Sequence, residues 1–519
     1  MEKDLIKKDK KLKINLNLAH ILIIILGSIF ILLAAFHEDI WFDESYSVAI
    51  ANHGFAEIWN ITGNDVHPPL YYWMLHILEL IFGSNVIIYR LFSVVAIIIL
   101  GILGYTHIRK DFGIKVGMIF SFLTFFLPVM STYSQEVRMY SWACLFVMLM
   151  IIYAYRLYIR VKNKNEENLE ESKWKKLELK NLILFGIFSV CCMYTHYYSL
   201  MTAFVVNLAL LIFLIKNRKE CKNVLRNFVI LGVIQVALYI PWLHYLFGQM
   251  QHVGGGFWIT LGLNTLVEVP SFQFRRQLDT VFGFTPETII ALIASISMYI
   301  YIGWKIYQAK KSKEKIKPAI MAIALYLIII GIMLAISLIS PILFSRYLMV
   351  LTGIYIFFLA YMMATEKNNK ITLVICIIIT IMGTASNITN ININYDESNM
   401  KQIEYLRENI QKDDIIVYSN IGNGGVVAAF FPENKQYFYN GGYWDIEEAY
   451  KAYGPGMETI YDYNDILENY HGRIWLIDSE YMGLYEEFPK EGIKVLEGPM
   501  RFDTKYQNYI YNIMLLEKE

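Results

Sequence analysis

The stretch HEDIWFDESYSVAIANHGFAEIWNITGNDVHPPLYYW, residues 37–73, brings together His37, Glu38, Asp39, Asp43, Glu44, His53, Glu57, Asp65 and His67. Trp41, Phe42, Tyr46, Phe55 and Trp59 are interleaved with them. Neither Lys nor Arg occurs anywhere from 37 to 85, in a chain that holds 46 such residues and the same number of Asp and Glu. The cations are therefore strongly segregated, and where this segment stands relative to them decides how the chain is laid out.

Composition explains what does the segregating. Of the 519 residues, 56% are apolar and only 18% charged. A soluble domain carries nearer a quarter charged residues, so the balance points to a membrane protein. The zero net charge offers no broad basic field for nucleic acid. Crossing a bilayer takes roughly 17–25 apolar residues, and about eleven runs qualify. They lie near 15–36, 86–108, 114–130, 139–159, 181–197, 199–215, 227–247, 285–304, 318–339, 346–364 and 371–389. The first is read as an uncleaved span, because no small-residue cleavage site clearly follows it. With these spans, the basic clusters at Lys3–Lys13, Arg109–Lys115, Arg160–Lys180, Lys216–Arg226, Lys305–Lys317 and Lys367–Lys370 fall on one side. The excess of Lys and Arg in cytoplasmic loops then puts the N-terminus inside and 37–85 outside. A further span at 69–83 would break that pattern, so 68–83 is expected to be an interfacial helix opened by Pro68-Pro69.

The last span leads to a polar segment, 396–519, on the same outer side. It alternates helical patterns at Met400–Asn409 and Ile446–Tyr453 with short apolar strands at Ile415–Tyr418, Arg473–Asp478 and Tyr509–Leu516. The expected fold is thus an all-α membrane bundle over 1–395 with a small extracytoplasmic α/β domain over 396–519. The five cysteines, Cys144, Cys191, Cys192, Cys221 and Cys376, show no metal-ligand spacing, and none lies in that C-terminal segment.

Carboxylates held among aromatic rings at a membrane surface are partly desolvated, which raises their pKa and suits a general base. Asp43 and Glu44 are adjacent, so on a helix they point about 100° apart and take separate roles, one facing a site and one orienting or capping. Asp43 as the N-cap of a helix from Ser45 is the structural alternative.

Phe42-Asp43-Glu44, then His67-Pro68-Pro69-Leu70-Tyr71-Tyr72, then Gly83 and Arg90-Leu91-Phe92-Ser93, resemble the dolichyl-phosphate-mannose–protein mannosyltransferase-like family, which includes the aminoarabinose transferases. Tyr133-Ser134-Gln135-Glu136-Val137-Arg138-Met139-Tyr140 and Ser345-Arg346-Tyr347 extend the likeness. The resemblance implies a GT-C fold, a sugar donor on polyprenyl phosphate, an extracytoplasmic acceptor and inversion of configuration. It implies catalytic roles for Asp43 and Glu44. Asp65, His67, Glu136, Arg138, Tyr140, His196, Arg346 and Tyr347 are the expected contacts for donor phosphate or substrate. Many relatives carry Lys before the Pro-Pro pair where this chain has His67, which shifts the phosphate contact towards Arg138 or Arg346.

Each candidate has a plainer reading. Glu136 with Arg138 can be an interfacial charge pair, Arg346 and Arg90 can snorkel to head groups, and His196 can be a turn residue. His76 and Glu79 share one helix face. No metal ligand set is implied, although His53 and His67 with the loop carboxylates leave a divalent ion open. Gly254-Gly255-Gly256-Phe257-Trp258 reads as a flexible flap or a connector. A transporter of lipid-linked sugars is the rival function. It predicts internal repeats and charges deep within spans, neither of which is prominent.

Overall fold

The computed structural model describes residues 2–163, 171–254, 259, 261–276, 285–313, 315–418, 420–439, 451–453, 457–468, 470–480 and 483–518. The chain forms two compact units. One comprises Met1–Leu33, Phe92–Gln135 and Met139–Ile388; the other comprises Ala34–Leu91, Glu136–Arg138 and Thr389–Glu519.

The first unit is a helical bundle. Among the described residues ten helices are long and apolar enough to cross a membrane: Asn15–Leu32, Val86–Phe112, Tyr140–Lys162, Lys176–Thr195, Tyr197–Lys216, Lys222–Gln251, Pro286–Ser312, Lys317–Ser337, Ser345–Ala364 and Asn369–Asn394. The remaining expected span, 114–130, is a shorter apolar helix, Ile114–Phe126. Its end follows from the sequence. Leu127 precedes Pro128 and is extended (φ −61°, ψ 134°), because the proline ring disfavours helical backbone in the residue before it.

The outward faces are apolar. Leu26, Val233, Ile300 and Ile381 are each more than half exposed, as helices require when lipid is their solvent. Ser345–Ala364 differs, being buried along nearly its whole length. It begins as a 3₁₀ turn, Ser345–Leu351, before the α-helix Thr352–Ala364.

Glycines set how closely the helices approach. A methyl group on Gly27 or Gly101 would run into the Phe125 ring, and one on Gly383 would strike the backbone carbonyl of Phe126. Small residues at such contacts let helix backbones meet where no hydrophobic force drives association.

The second unit contains the acidic stretch. Its helices Phe42–Ala51, Phe55–Asn64 and Leu70–Phe82 follow one another closely. Leu70–Phe82 has 13 residues and starts directly after Pro68-Pro69, so at about 1.5 Å per residue it is too short to span a bilayer. The same unit holds a six-stranded sheet in the order β3-β2-β1-β4-β6-β5. The strands are β1 Ile415–Tyr418, β2 Lys435–Tyr439, β3 Met457–Ile460, β4 Gly472–Asp478, β5 Ile493–Asp503 and β6 Ile510–Lys518. β1 pairs in parallel with β2 and β4, and β2 with β3, while β6 runs antiparallel to β4 and β5. Parallel neighbours need a crossover, and Ile421–Phe430 supplies the one from β1 to β2. Ile415, Val417, Ile474, Leu476, Met514 and Leu516 share one hydrophobic core.

β1, β4 and β6 match the expected strands within a residue or two. β2, β3 and β5 were not expected, because Tyr, Gln, Lys and Glu dilute their apolar pattern. Of the expected helix Ile446–Tyr453, residues 446–450 lie outside the described residues, as do 255–258 of the glycine-rich loop.

Gly383→Val should overpack the contact with Phe126 and cost about 1–3 kcal/mol. The expected readout is a lowered melting temperature in detergent. Gly331→Val, at a position with open space around it, should leave that temperature unchanged.

Candidate functional site

The helix Phe42–Ala51 starts two residues earlier than an Asp43 cap would allow. Its N-cap is Trp41, in extended backbone. Glu44 stands at the third helical position, and its carboxylate reaches back to the Trp41 N–H at 3.4 Å, the acidic half of a capping box. Asp43 is therefore inside the first turn, where negative charge suits the helix dipole.

The two neighbouring carboxylates have opposite surroundings. Glu44 is fully buried. Arg90 donates through Nη1 to its Oε1 at 2.7 Å and through Nη2 to its Oε2 at 3.2 Å. The Val137 N–H donates to Oε1 at 2.9 Å, and the Tyr506 hydroxyl to Oε2 at 3.0 Å. With Trp41 this makes five donors, which leave none of the roughly four lone-pair positions of the carboxylate unfilled. Arg90 also donates to the Asp39 backbone carbonyl. Asp43, by contrast, is only partly buried.

A second chain of contacts surrounds Asp43. Arg138 is buried, and its Nη1 donates to the Asp43 backbone carbonyl at 3.0 Å, to Ser47 Oγ at 3.3 Å and to the Tyr72 hydroxyl at 3.3 Å. Its Nη2 lies 2.9 Å from His67 Nε2. Guanidinium groups only donate, so His67 Nε2 accepts. The imidazole proton then sits on Nδ1 and is donated to Asp65 Oδ2 at 2.6 Å. Asp65–His67–Arg138 is thus a directed relay that aims Arg138 at the first turn of the Asp43 helix. Both ring nitrogens of His67 are engaged within it. Burial by itself would raise the Asp65 carboxyl. The His67 ring, the Tyr46 hydroxyl and the Arg138 charge together hold it below the usual range.

Asp39 behaves in the opposite way. Burial pushes its carboxyl up to about 7, against the pull of Arg90 and of an Asn399 amide hydrogen bond. Glu136, two residues before Arg138, is buried, and its carbonyl accepts from the Arg138 N–H at 2.7 Å.

The bundle unit holds the other expected residues as a cluster of its own. Helix Lys176–Thr195 ends and Tyr197–Lys216 begins around His196, whose Nδ1 accepts from the Tyr198 N–H at 3.0 Å. His196 is the helix cap. Its ring lies 5.6 Å from Tyr140 and 5.1 Å from Tyr347, centroid to centroid. Arg346 is buried and stacks over Phe344 and Tyr347 at 4.9 and 6.0 Å, so it does not snorkel. His53 and His76 are turned to backbone carbonyls, Ala452 at 3.0 Å and Ala51 at 2.9 Å. Among the described residues no three or more His, Cys, Asp or Glu side chains gather as a possible cation site.

Arg90 stands in the sequence within the Arg90-Leu91-Phe92-Ser93 stretch and otherwise reads as a snorkelling side chain, with no partner indicated. The signal it carried was a cation in an otherwise apolar helix, which calls for a buried partner. Ser47, Tyr72 and Tyr506 gave no signal, since what they do depends on residues far away in the chain.

The described geometry can be set beside solved structures. ArnT from Cupriavidus metallidurans in the apo state superposes with a TM-score of 0.61 at 10% identity, covering 95% of this chain and 97% of that one. The same protein bound to undecaprenyl phosphate gives 0.59 with the same coverage. This chain has the GT-C fold. The Archaeoglobus fulgidus oligosaccharyltransferase follows at a TM-score of 0.44, with 80% of this chain and 62% of that one covered at 10% identity. No protein-family model and no curated protein matches the sequence.

The buried charges have two measurable consequences. Arg90→Met leaves Glu44 charged and unpaired and should cost about 3–5 kcal/mol, seen as lost folded yield; Arg90→Lys should fall between it and wild type. Asp39 in the unfolded chain ionises near its ordinary 3.8, but in the folded protein near 7. The folded state therefore holds the proton more tightly. The stability it gains is full below about pH 4 and is lost as pH rises through 7. Melting temperatures measured across that range should fall with pH, and Asp39→Asn should flatten the profile.

Proposed function

We propose that this protein is a membrane glycosyltransferase that moves a sugar from a polyprenyl-phosphate donor to an extracytoplasmic acceptor, with inversion at the anomeric carbon. The observation that carries the reading is the division of labour between adjacent carboxylates. Glu44 is saturated with hydrogen-bond donors, while Asp43 remains partly accessible on the same helical turn. The GT-C fold and the undecaprenyl phosphate named for ArnT support the donor class.

In this mechanism Asp43 takes the proton of an acceptor hydroxyl. The hydroxyl oxygen forms a bond to the anomeric carbon as the bond from that carbon to the phosphate oxygen breaks, and the electron pair leaves with polyprenyl phosphate. General-base assistance is worth about 10²–10⁴-fold. Stabilisation of the leaving phosphate supplies more, and a planar guanidinium suits phosphate. Arg138 is the first candidate, preset by His67 and Asp65, with Glu136 alongside. Arg346 is the second, with Tyr140, His196 and Tyr347 as its neighbours. Glu44 is a positioning residue. The basic clusters support a cytoplasmic N-terminus in a multi-pass plasma-membrane protein, read with a bundle over 1–395 and an outer domain over 396–519.

The test is release of undecaprenyl phosphate by protein in lipid, given a panel of sugar-loaded undecaprenyl phosphates and cell-envelope acceptor. Asp43→Asn should lower turnover by at least about 100-fold at unchanged folded yield. Full turnover in a folded Asp43→Asn protein rejects Asp43 as the base, and no release by wild type from any donor rejects the reaction.

A further inference from the structure

The segment between β5 and β6, Thr504–Tyr509, is a compact hairpin tip. Gln507 and Asn508 both take left-handed backbone, with φ of 59° and 52°. That conformation is costly for a side chain larger than Gly unless the surroundings impose it. The imposition is visible. Thr504 N–H donates to the Tyr509 carbonyl at 2.9 Å, and Tyr509 N–H to Thr504 Oγ1 at 3.1 Å. From outside the tip, Asn399 Oδ1 accepts the N–H groups of Lys505 at 3.0 Å and Tyr506 at 2.8 Å, while its Nδ2 donates to the Asp39 carboxylate.

Held this way, the tip projects two tyrosines onto the start of the Asp43 helix. The Tyr509 hydroxyl accepts the N–H of Phe42, the residue before Asp43, at 3.2 Å. The Tyr506 hydroxyl donates to Glu44, the residue after it, at 3.0 Å. The Phe42 N–H is one of the first four of a helix, which have no partner within it. Tyr453 adds a third grip, its hydroxyl 2.9 Å from Ser45 Oγ. Burial holds the hydroxyls of Tyr506 and Tyr509 protonated, well above the usual tyrosine range.

We infer that the β5–β6 hairpin tip is a positioning device that fixes the first turn of helix Phe42–Ala51, and through it the direction in which Asp43 presents its carboxylate. This rests on the reading of Asp43 as the base. Tyr506 and Tyr509 are positioning residues, and the sheet-bearing C-terminal part is thereby a working part of the transferase rather than an appendage. The device acts on orientation, so its loss should lower turnover more than donor affinity. A displacement of about 1 Å at a reacting group is enough for a 100-fold loss.

The test compares the full-length wild type with Tyr506→Phe, Tyr509→Phe and the double variant. Tyr470→Phe is the matched control. It loses contacts to the Asp413 and Arg473 carbonyls and touches neither the tip nor the Asp43 helix by hydrogen bond. Two measurements are made in lipid: hydrogen exchange of the amides in 42–47, and kcat and KM with whichever undecaprenyl-phosphate sugar wild type turns over. The double variant should exchange faster across 42–47 and lose about tenfold or more in kcat with KM within about twofold, whereas Tyr470→Phe should change neither. Unaltered exchange overturns the clamp. Faster exchange with unaltered kcat overturns its link to Asp43. If wild type turns over no donor, the transferase reading fails, and hydrogen exchange still decides whether the tip holds the helix.

Discussion

The buried ion pair between Glu44 and Arg90 is the constraint on which the rest of this structure depends. Two charges removed from water are tolerated only when geometry and further hydrogen bonds replace the lost hydration. Here Glu44 receives the fork of Arg90, two backbone N–H groups and a tyrosine hydroxyl. Each donor comes from a different place in the chain. Satisfying one carboxylate therefore fixes the start of the helix at Val86–Leu103, the 136–138 segment, the turn before Phe42 and the hairpin tip at Tyr506 together. In the proposed transferase, Glu44 would act by fixing the position of its neighbour Asp43.

Arg138 is organised on the same principle at smaller cost. Its guanidinium donates to a carbonyl, two hydroxyls and an imidazole. The acid that balances it, Asp65, stands one imidazole away. Such an arrangement keeps a cation buried and aimed, which suits the proposed leaving phosphate. His67 fits this picture: a neutral ring with a fixed tautomer orients a cation where a second cation would repel it.

Much of the architecture was legible in the chain because lipid imposes simple rules. A segment that crosses a bilayer must satisfy its backbone internally and be apolar, so composition and run length locate ten of the helices directly. The span expected at 114–130 came out as Ile114–Phe126 because hydropathy ignores the effect of Pro128 on the backbone of Leu127. In the sheet, β1 and β4 are apolar runs and were visible, whereas β2 and β5 carry Lys, Gln and Glu along their length and were not.

For the site, the sequence by itself determined which candidate residues stand close together along the chain. The cation-free stretch 37–85, the Asp43-Glu44 pair and the motifs around His67 and Arg138 were all readable from residue type and order. Only the tertiary structure decided which carboxylate is buried and which is accessible, that His67 serves Arg138, that His196 caps a helix, and that Tyr506 reaches Glu44 across 462 residues of chain. The physical reason is locality. Apolar periodicity, caps and charge bias act over a few residues and are written in the sequence one turn at a time. Saturating a buried carboxylate needs donors from distant segments, and no local pattern records which ones the fold will supply.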